Sequence, residues 1–187
     1  MKQHILPAIK LTALTILFFI GVYTLVIWLV AQLSPEKGNG ETVTVNGKVV
    51  GYRLEGQKFT ADKYFWSRPS AAGYNATASA GSNKASSNPD YLKEVQGRVD
   101  SFLVHHPTVK KEDIPSDLIT SSGSGLDPDI SVEAANIQVN RVAAIRKIQR
   151  EKVQELVNAH IQKPLAGLLG TARVNVLALN IDLDQLK

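Results

Sequence analysis

A long apolar run near the start of the chain is the feature that most restricts its fold. The 23 residues from Leu11 to Leu33 carry no charge. A helix of that length is about 35 Å long, enough to cross a hydrocarbon core of roughly 30 Å. A cleaved signal peptide has a shorter apolar stretch and a small-x-small site, which Ala31-Gln32-Leu33 lacks. The run therefore predicts one uncleaved transmembrane helix at residues 11–33.

The charges on either side of this run indicate its direction. Lys2 and Lys10 precede it, whereas Glu36 and Lys37 cancel each other just after it. Positive residues tend to stay on the cytoplasmic side. We therefore predict a short cytoplasmic tail at residues 1–10 and an external domain at residues 36–187.

The composition of the external domain excludes several classes of function. Without Lys2 and Lys10, 19 basic residues remain against 17 acidic ones, so the domain is nearly neutral. A nucleic-acid partner is not expected on that ground. Cysteine is absent, which excludes disulfides, thiolate chemistry and cysteine-based zinc sites.

The patterns in the external domain favour an α+β fold. Asn46-Gly47 between two β-rich stretches predicts a hairpin with a two-residue turn. Asn88 and Ser131 are typical caps at the starts of helices, and a third helix is expected near Val153. Alternation from Arg173 to Leu179 predicts a C-terminal strand. We therefore expect one mixed domain with an N-terminal hairpin, about three helices and a terminal strand.

The stretch from Ser67 to Pro89 has no helical or strand periodicity and is rich in Ser, Ala, Asn and Gly. Such a composition is typical of a flexible linker. A structureless loop of this length is nevertheless uncommon inside a compact domain and is often functional. Composition alone does not choose between the two interpretations.

The segment Ser121–Ser131, SSGSGLDPDIS, leads directly into a predicted helix and allows three interpretations. A glycine-rich turn before a helix can hold a phosphate, although this one matches no standard phosphate motif. Ser124 could alternatively be the nucleophile of a serine hydrolase. The interpretation that we favour from the residues alone is a structural loop ending in a helix cap.

Other polar residues are candidates for structural or interface roles. Gln138, Arg141 and Arg146 lie between apolar stripes of the predicted helix, where long polar side chains need partners. We expect Arg141 or Gln138 to secure the 122–129 loop, or this helix to pair with another protein. Trp66 and Arg68 belong to an aromatic cluster suited to a core or an interface. Asp127 fits a surface or capping role better than a metal site, and no metal site is predicted.

Taken in order, these segments resemble a known family. The anchor is followed by VVGYRLEGQKF, YFWSRPSA, GSNKASSNPDY, DLITSSGSGLDPDIS, AANIQVNRVAAIR and RVNVLALN. This series is similar to the C subunit of the bacterial potassium-transporting Kdp ATPases. The resemblance extends from Leu11 to Asp184. One departure is Asp129, since members of that family often carry histidine there.

The resemblance implies a non-catalytic accessory subunit in an ATP-driven potassium importer of the bacterial cell membrane. Its implied partners are a channel-like potassium-binding subunit, a P-type ATPase subunit, a small single-span subunit and the lipid bilayer. No covalently bound cofactor is expected, and potassium is the transported ion. Family descriptions also imply ATP binding, which would fall on Ser122, Gly123, Ser124, Gly125 and Gln138. Alternatives are an anchored external serine hydrolase and a nucleotide-regulated, chaperone-like subunit of the same pump.

Overall fold

The computed structural model describes residues 2–186. The chain divides into two compact units, Met1–Glu41 and Thr42–Lys187. The predicted boundaries at residues 10, 33 and 36 refer to a bilayer and stay predictions.

The first unit is dominated by one continuous helical run. It comprises α1 (Lys2–Ile16), a π-helical segment (Leu17–Tyr23) and α2 (Thr24–Ala31). From Gln3 to Ala31 the run is long and apolar enough to cross a membrane, and none of it is buried within the chain. The helix begins well before the predicted Leu11, and Pro7 is accommodated near its start. The Thr24 hydroxyl donates to the Phe19 carbonyl at 3.1 Å, a back-bond that tolerates an apolar surrounding.

The second unit opens with the predicted hairpin. Strands β1 (Thr42–Val45) and β2 (Lys48–Tyr52) pair antiparallel, with Val45 opposite Lys48. Asn46 and Gly47 have φ angles of 51° and 74°. Positive angles at both central positions define the tight turn whose twist matches the flanking strands. The hairpin prediction is confirmed.

Helices and a small sheet form the rest of the described part of this unit. The helices are α3 (Pro89–His105), α4 (Val132–Arg146), α5 (Arg150–Ala159) and α6 (Val176–Gln185), with single 3₁₀ turns at Lys111–Asp113 and Ser116–Leu118. The strands β3 (Asp129–Ser131), β4 (Ile161–Gln162) and β5 (Arg173–Asn175) form an antiparallel sheet with the order β3-β5-β4. The mixed α+β class is therefore confirmed.

Two helix starts use the caps that the sequence predicts. The Asn88 side chain accepts from the Asp90 and Tyr91 amides at 2.9 and 3.1 Å, with Pro89 in the first turn. Ser131 accepts from the Ala134 amide at 3.0 Å. Each oxygen satisfies amides that the first turn of a helix leaves unbonded.

The end of the chain differs from the prediction in extent. The strand stops at Asn175 instead of Leu179 and a fourth helix, α6, follows. The Asn175 side chain accepts from the Ala178 amide at 3.0 Å and so starts that helix. Val176, Leu179 and Leu183 are then buried at helical spacing. The alternating pattern predicts the strand but not its end, because Asn175 starts a helix within the pattern.

The core of the unit lies around α4 and β5. Side chains of α4 and β5 pack there against those of β3, α5, α6 and the irregular segment at Phe65. The fully buried residues of this core include Phe65, Ile130, Val139, Val142, Val153, Val157, Val174, Leu179 and Leu183. Burial of a side chain of this size stabilises a fold by about 1.5–3 kcal/mol. This core fixes α4 as the central support for the polar side chains described next.

Candidate functional site

Side chains, and not a neighbouring strand, hold the aromatic segment Asp62–Trp66. The Gln138 side chain accepts from the Trp66 amide at 2.8 Å and donates to the Trp66 carbonyl at 3.3 Å. Asn180 brackets Phe65 in the same way, at 2.9 and 3.0 Å. Each carboxamide therefore takes the place of a neighbouring strand, because it bonds both the amide and the carbonyl of one residue. This satisfies backbone groups that would be costly to bury unpaired.

Gln138 has no hydrogen-bonding capacity left after these contacts. Its second amide hydrogen donates to the Ala134 carbonyl at 3.0 Å, and its oxygen also accepts from Arg141 at 2.8 Å. An amide side chain has two donors and two acceptor sites, and all four are used here. Any contact between Gln138 and a nucleotide would require one of these bonds to break.

Arg141 extends the same support to the start of the aromatic segment. Its guanidinium donates to the carbonyls of Asp62 and Tyr64, the latter at 3.0 Å. It also lies over the Trp66 ring, 4.6 Å from the centroid. Burial lowers the pKa of Arg141 to about 10, against a smaller opposite effect of Asp62. The side chain is therefore a buried cation held by carbonyl oxygens and an aromatic face.

His106 completes this network as a neutral ring. Its Nε2 accepts from the Arg141 Nε–H at 2.8 Å, which leaves Nδ1 as the donor to the Phe102 carbonyl at 2.9 Å. Burial, in the first place, lowers the pKa of His106 to about 4. The neighbouring Arg141 cation acts in the same direction, and the hydrogen bond to Phe102 opposes it. At neutral pH the ring is uncharged and fixed in one tautomer.

The prediction that Gln138 or Arg141 secures the 122–129 loop is wrong. Both side chains are buried within the chain and hold the aromatic segment instead. An interface role for this helix stays a prediction. Arg146 has a similar role at the other end of α4, where it donates to the Lys63 carbonyl at 2.7 Å and pairs with Asp184 at 2.6 Å.

The serine–glycine loop, residues 121–128, is docked against the stretch that lacks periodicity. Ser122 donates from its amide to the Pro69 carbonyl at 3.3 Å, and the Ala80 amide donates to the Ser124 carbonyl at 3.0 Å. The Ser70 hydroxyl donates to the Gly125 carbonyl at 2.6 Å. These contacts make the Ser67–Pro89 stretch part of the domain although it has no helix or strand before Pro89.

Gly125 is required at its position in this loop. Its φ of +68° is disfavoured for side chains, and an added Cβ would lie 2.8 Å from the Ala80 carbonyl oxygen. Gly123 faces open space. The hydroxyl of buried Ser122 accepts from the Gly125 amide at 2.9 Å, whereas exposed Ser124 accepts from the Leu126 amide at 3.1 Å. The loop thus bonds its own backbone with both serine side chains.

An ion pair closes the end of the loop. Arg68 and Asp127 are 2.8 Å apart, and Asp127 also accepts from the Asp129 amide at 3.0 Å. Asp129 pairs with Arg173 at 2.9 Å. Burial raises the pKa of Asp129, and Arg173 opposes that shift. Asp129 is therefore held by a cation from the neighbouring strand β5.

A cleft of about 940 Å³ lies beside this ion pair, at the N-terminal end of α4. Six carboxylates line it against two guanidinium groups, Arg68 and Arg173; the carboxylates are Glu112, Asp113, Asp117, Asp127, Asp129 and Glu133. Within residues 2–186, no three acidic or histidine side chains are grouped closely enough to hold a metal ion. The surplus of carboxylates over guanidinium groups gives the lining a net negative charge.

The whole chain matches one protein family. The family model for the K+-transporting ATPase, c chain (KdpC), covers residues 5–185. The chain belongs to the KdpC family. Similar proteins are the potassium-transporting ATPase KdpC subunits of Flavobacterium psychrophilum, 56% identical over 99% of this chain and 100% of that one, and Bacteroides fragilis, 52% identical over 99% and 98%. That of Caldanaerobacter subterraneus is 44% identical over 98% and 95%.

In this KdpC-family chain the predicted site residues fall into separate groups. Trp66, Gln138 and Arg141 form one buried network, while Arg68 and Asp127 form the ion pair beside the cleft. Ser122, Gly123, Ser124 and Gly125 lie in the docked loop, and nucleotide binding at any of these residues stays a prediction. Sequence reasoning missed His106 and Asn180. Asn180 could have been noticed as a polar residue among the apolar positions of α6, whereas His106 directly follows the last residue of α3 and has no comparable signal.

Proposed function

We propose that this chain is a non-catalytic accessory subunit of an ATP-driven potassium importer. In this proposal the helix anchors it in the bacterial cell membrane with the N-terminus in the cytoplasm. The second unit lies outside, near the potassium entrance, and stabilises the assembled pump. Membership of the KdpC family supports a place in the potassium-transporting ATPase.

The observation that carries the accessory role is the unburied apolar helix. No residue from Gln3 to Ala31 is buried. Lipid or other membrane helices must therefore cover this helix. Gly21 and the threonines Thr12, Thr15 and Thr24 are small enough to allow another helix to approach closely. We infer that this helix packs against the channel-like and P-type ATPase subunits.

The acidic cleft supports a role near the ion entrance. A surplus of carboxylates attracts cations over about one Debye length, roughly 8–10 Å at ordinary salt. Such a field raises the local concentration of potassium. The cleft would then assist delivery of potassium to a selective site on a partner subunit.

Charge removal in the cleft tests this role. We expect Glu112→Gln with Asp113→Asn to raise the potassium KM of the complete complex roughly two- to five-fold at low salt, with the maximal rate unchanged. Both side chains are exposed, so folding should be preserved. The matched control is Glu151→Gln with Glu155→Gln on α5. An unchanged KM in the first variant, or equal effects in both, would contradict the role.

The assembly role is tested by deletion of residues 36–187, which leaves the predicted anchor. We expect loss of high-affinity potassium uptake by cells and loss of copurification of the pump subunits. Retained uptake would refute an essential external domain. Ser124→Ala distinguishes the accessory role from the serine-hydrolase alternative, because the variant of an accessory subunit should still support potassium uptake. Isothermal titration of the full chain with millimolar ATP tests the nucleotide-regulated alternative.

A further inference from the structure

Three leucines project from the connection between β4 and β5. We call residues Leu165–Leu169 the leucine tip. Leu165, Leu168 and Leu169 are 73%, 86% and 66% exposed. Single exposed leucines are ordinary, but three within five residues form a concentrated apolar surface. Such a surface indicates contact with an apolar partner.

The leucine tip is a closed turn and not a loose loop. The Leu165 amide donates to the Leu169 carbonyl at 2.9 Å, and the reverse bond measures 3.0 Å. Ala166 and Gly167 have φ angles of 54° and 74°. The turn therefore satisfies much of its own backbone while presenting the leucines outward. A hydrogen-bonded backbone is what a water-poor surrounding demands.

The charges around the tip favour a membrane surface. The sequence contains no Asp or Glu between Glu155 and Asp182. Lys163 is exposed two residues before the tip, whereas Arg173, four residues after it, is paired with Asp129 at 2.9 Å. An exposed lysine beside an apolar tip favours anionic lipid headgroups.

A short covalent connection joins the apolar helix to the second unit. Only residues 32–41 separate the end of α2 from the start of β1. A chain of that length spans at most about 35 Å when fully extended. The start of the second unit is thus tethered within that distance of the end of the apolar helix.

The size of the tip favours lipid over a protein partner. A stable protein interface buries about 800 Å² on each side and depends on aromatic or arginine anchors. Three leucines on one turn provide neither the area nor those anchors. Insertion between lipid chains requires no matching surface. We propose that the leucine tip inserts into the interfacial layer of the bilayer crossed by the Gln3–Ala31 helix.

The absence of cysteine allows a direct test on the full chain. Leu168→Cys is labelled with the environment-sensitive fluorophore NBD, and the protein is reconstituted into vesicles of phosphatidylcholine with phosphatidylglycerol. The matched control is Val104→Cys on α3, which is 77% exposed. We expect the Leu168 label alone to emit at shorter wavelength and to be quenched by nitroxide-labelled lipids. A Leu165→Ser, Leu169→Ser background should abolish both effects.

The same measurement is repeated in the complete pump complex. Quenching by nitroxide lipids in both settings supports insertion. Water-like emission with full quenching by aqueous iodide in both settings overturns it. Shielding that appears only in the complex, without nitroxide quenching, assigns the tip to a protein partner and also overturns it. The result is independent of the potassium role and requires only that the apolar helix spans the bilayer.

Discussion

Replacement of Gln138 by leucine tests whether this residue supports the fold or contacts a nucleotide. Leucine has a similar volume but cannot bond the Trp66 amide and carbonyl, which Gln138 brackets at 2.8 and 3.3 Å. Each buried backbone group left unpaired costs about 1–3 kcal/mol. Loss of the bond to Arg141 adds to this cost. We expect Gln138→Leu to lower the free energy of unfolding by about 3 kcal/mol.

The assay is thermal unfolding of the full chain in detergent, followed by near-ultraviolet circular dichroism. The Trp66 ring packs against Phe102 and His106, so its signal reports this region. About 3 kcal/mol corresponds to a decrease in Tm of roughly 6–12 °C for a unit of this size. The matched control is Gln149→Leu, since Gln149 is exposed and forms no side-chain cap.

We expect the Gln149 variant to stay within about 0.5 kcal/mol of the unmodified chain. A Gln138→Leu variant that unfolds at the unmodified temperature would refute the supporting role. If the same variant had also lost measurable ATP affinity, the family-implied nucleotide role would gain support. A large loss of stability accompanied by unchanged nucleotide behaviour would assign Gln138 to the fold alone.

Two further predictions concern the docked loop and the buried histidine. Gly125→Ala should destabilise the chain by about 1–3 kcal/mol, because Gly125 has a positive φ and an added Cβ would contact Ala80. Gly123→Ala should change the free energy of unfolding by less than about 0.5 kcal/mol. Chemical denaturation compares the two variants, and equal effects would contradict the docking of the loop. Because the pKa of His106 is lowered to about 4, the contribution of the neutral ring to the free energy of unfolding is complete above about pH 6.5. This contribution, about 2–3 kcal/mol, is lost as the pH falls towards 4. His106→Gln keeps an acceptor for Arg141 without titrating, so unfolding measured from pH 7 to 4 should show a smaller decrease; an identical decrease in both proteins would count against this assignment.

The sequence predicted those features that depend on neighbouring residues. Asn46-Gly47 determines its turn locally, and Asn88 and Ser131 cap helices within three residues of themselves. The apolar run could also be predicted from the sequence, because length and composition alone decide whether a helix is able to cross a membrane. Helix α6 was missed since a short alternating stretch resembles both a strand and a buried helix.

Features that depend on distant partners could not be read in the same way. The polar character of Gln138 and Arg141 correctly indicated a need for partners, but their partners in the aromatic segment lie 72 to 79 positions away along the chain. Nothing local in the Ser67–Pro89 stretch predicts that it docks on the serine–glycine loop, because the contacts are mainly to backbone groups. The acidic cleft combines residues from several separated segments, so its surplus of charge has no signature in any one of them.

The bracketing of Phe65 by Asn180 has a consequence for biosynthesis. The two residues are 115 positions apart, so the aromatic segment is made long before its partner exists. At about 5–20 residues per second, the ribosome needs on the order of ten seconds to close that gap. During this interval Phe65 and its aromatic neighbours are on a nascent chain without their native support. The native support of Phe65 is therefore complete only after Asn180 has been synthesised.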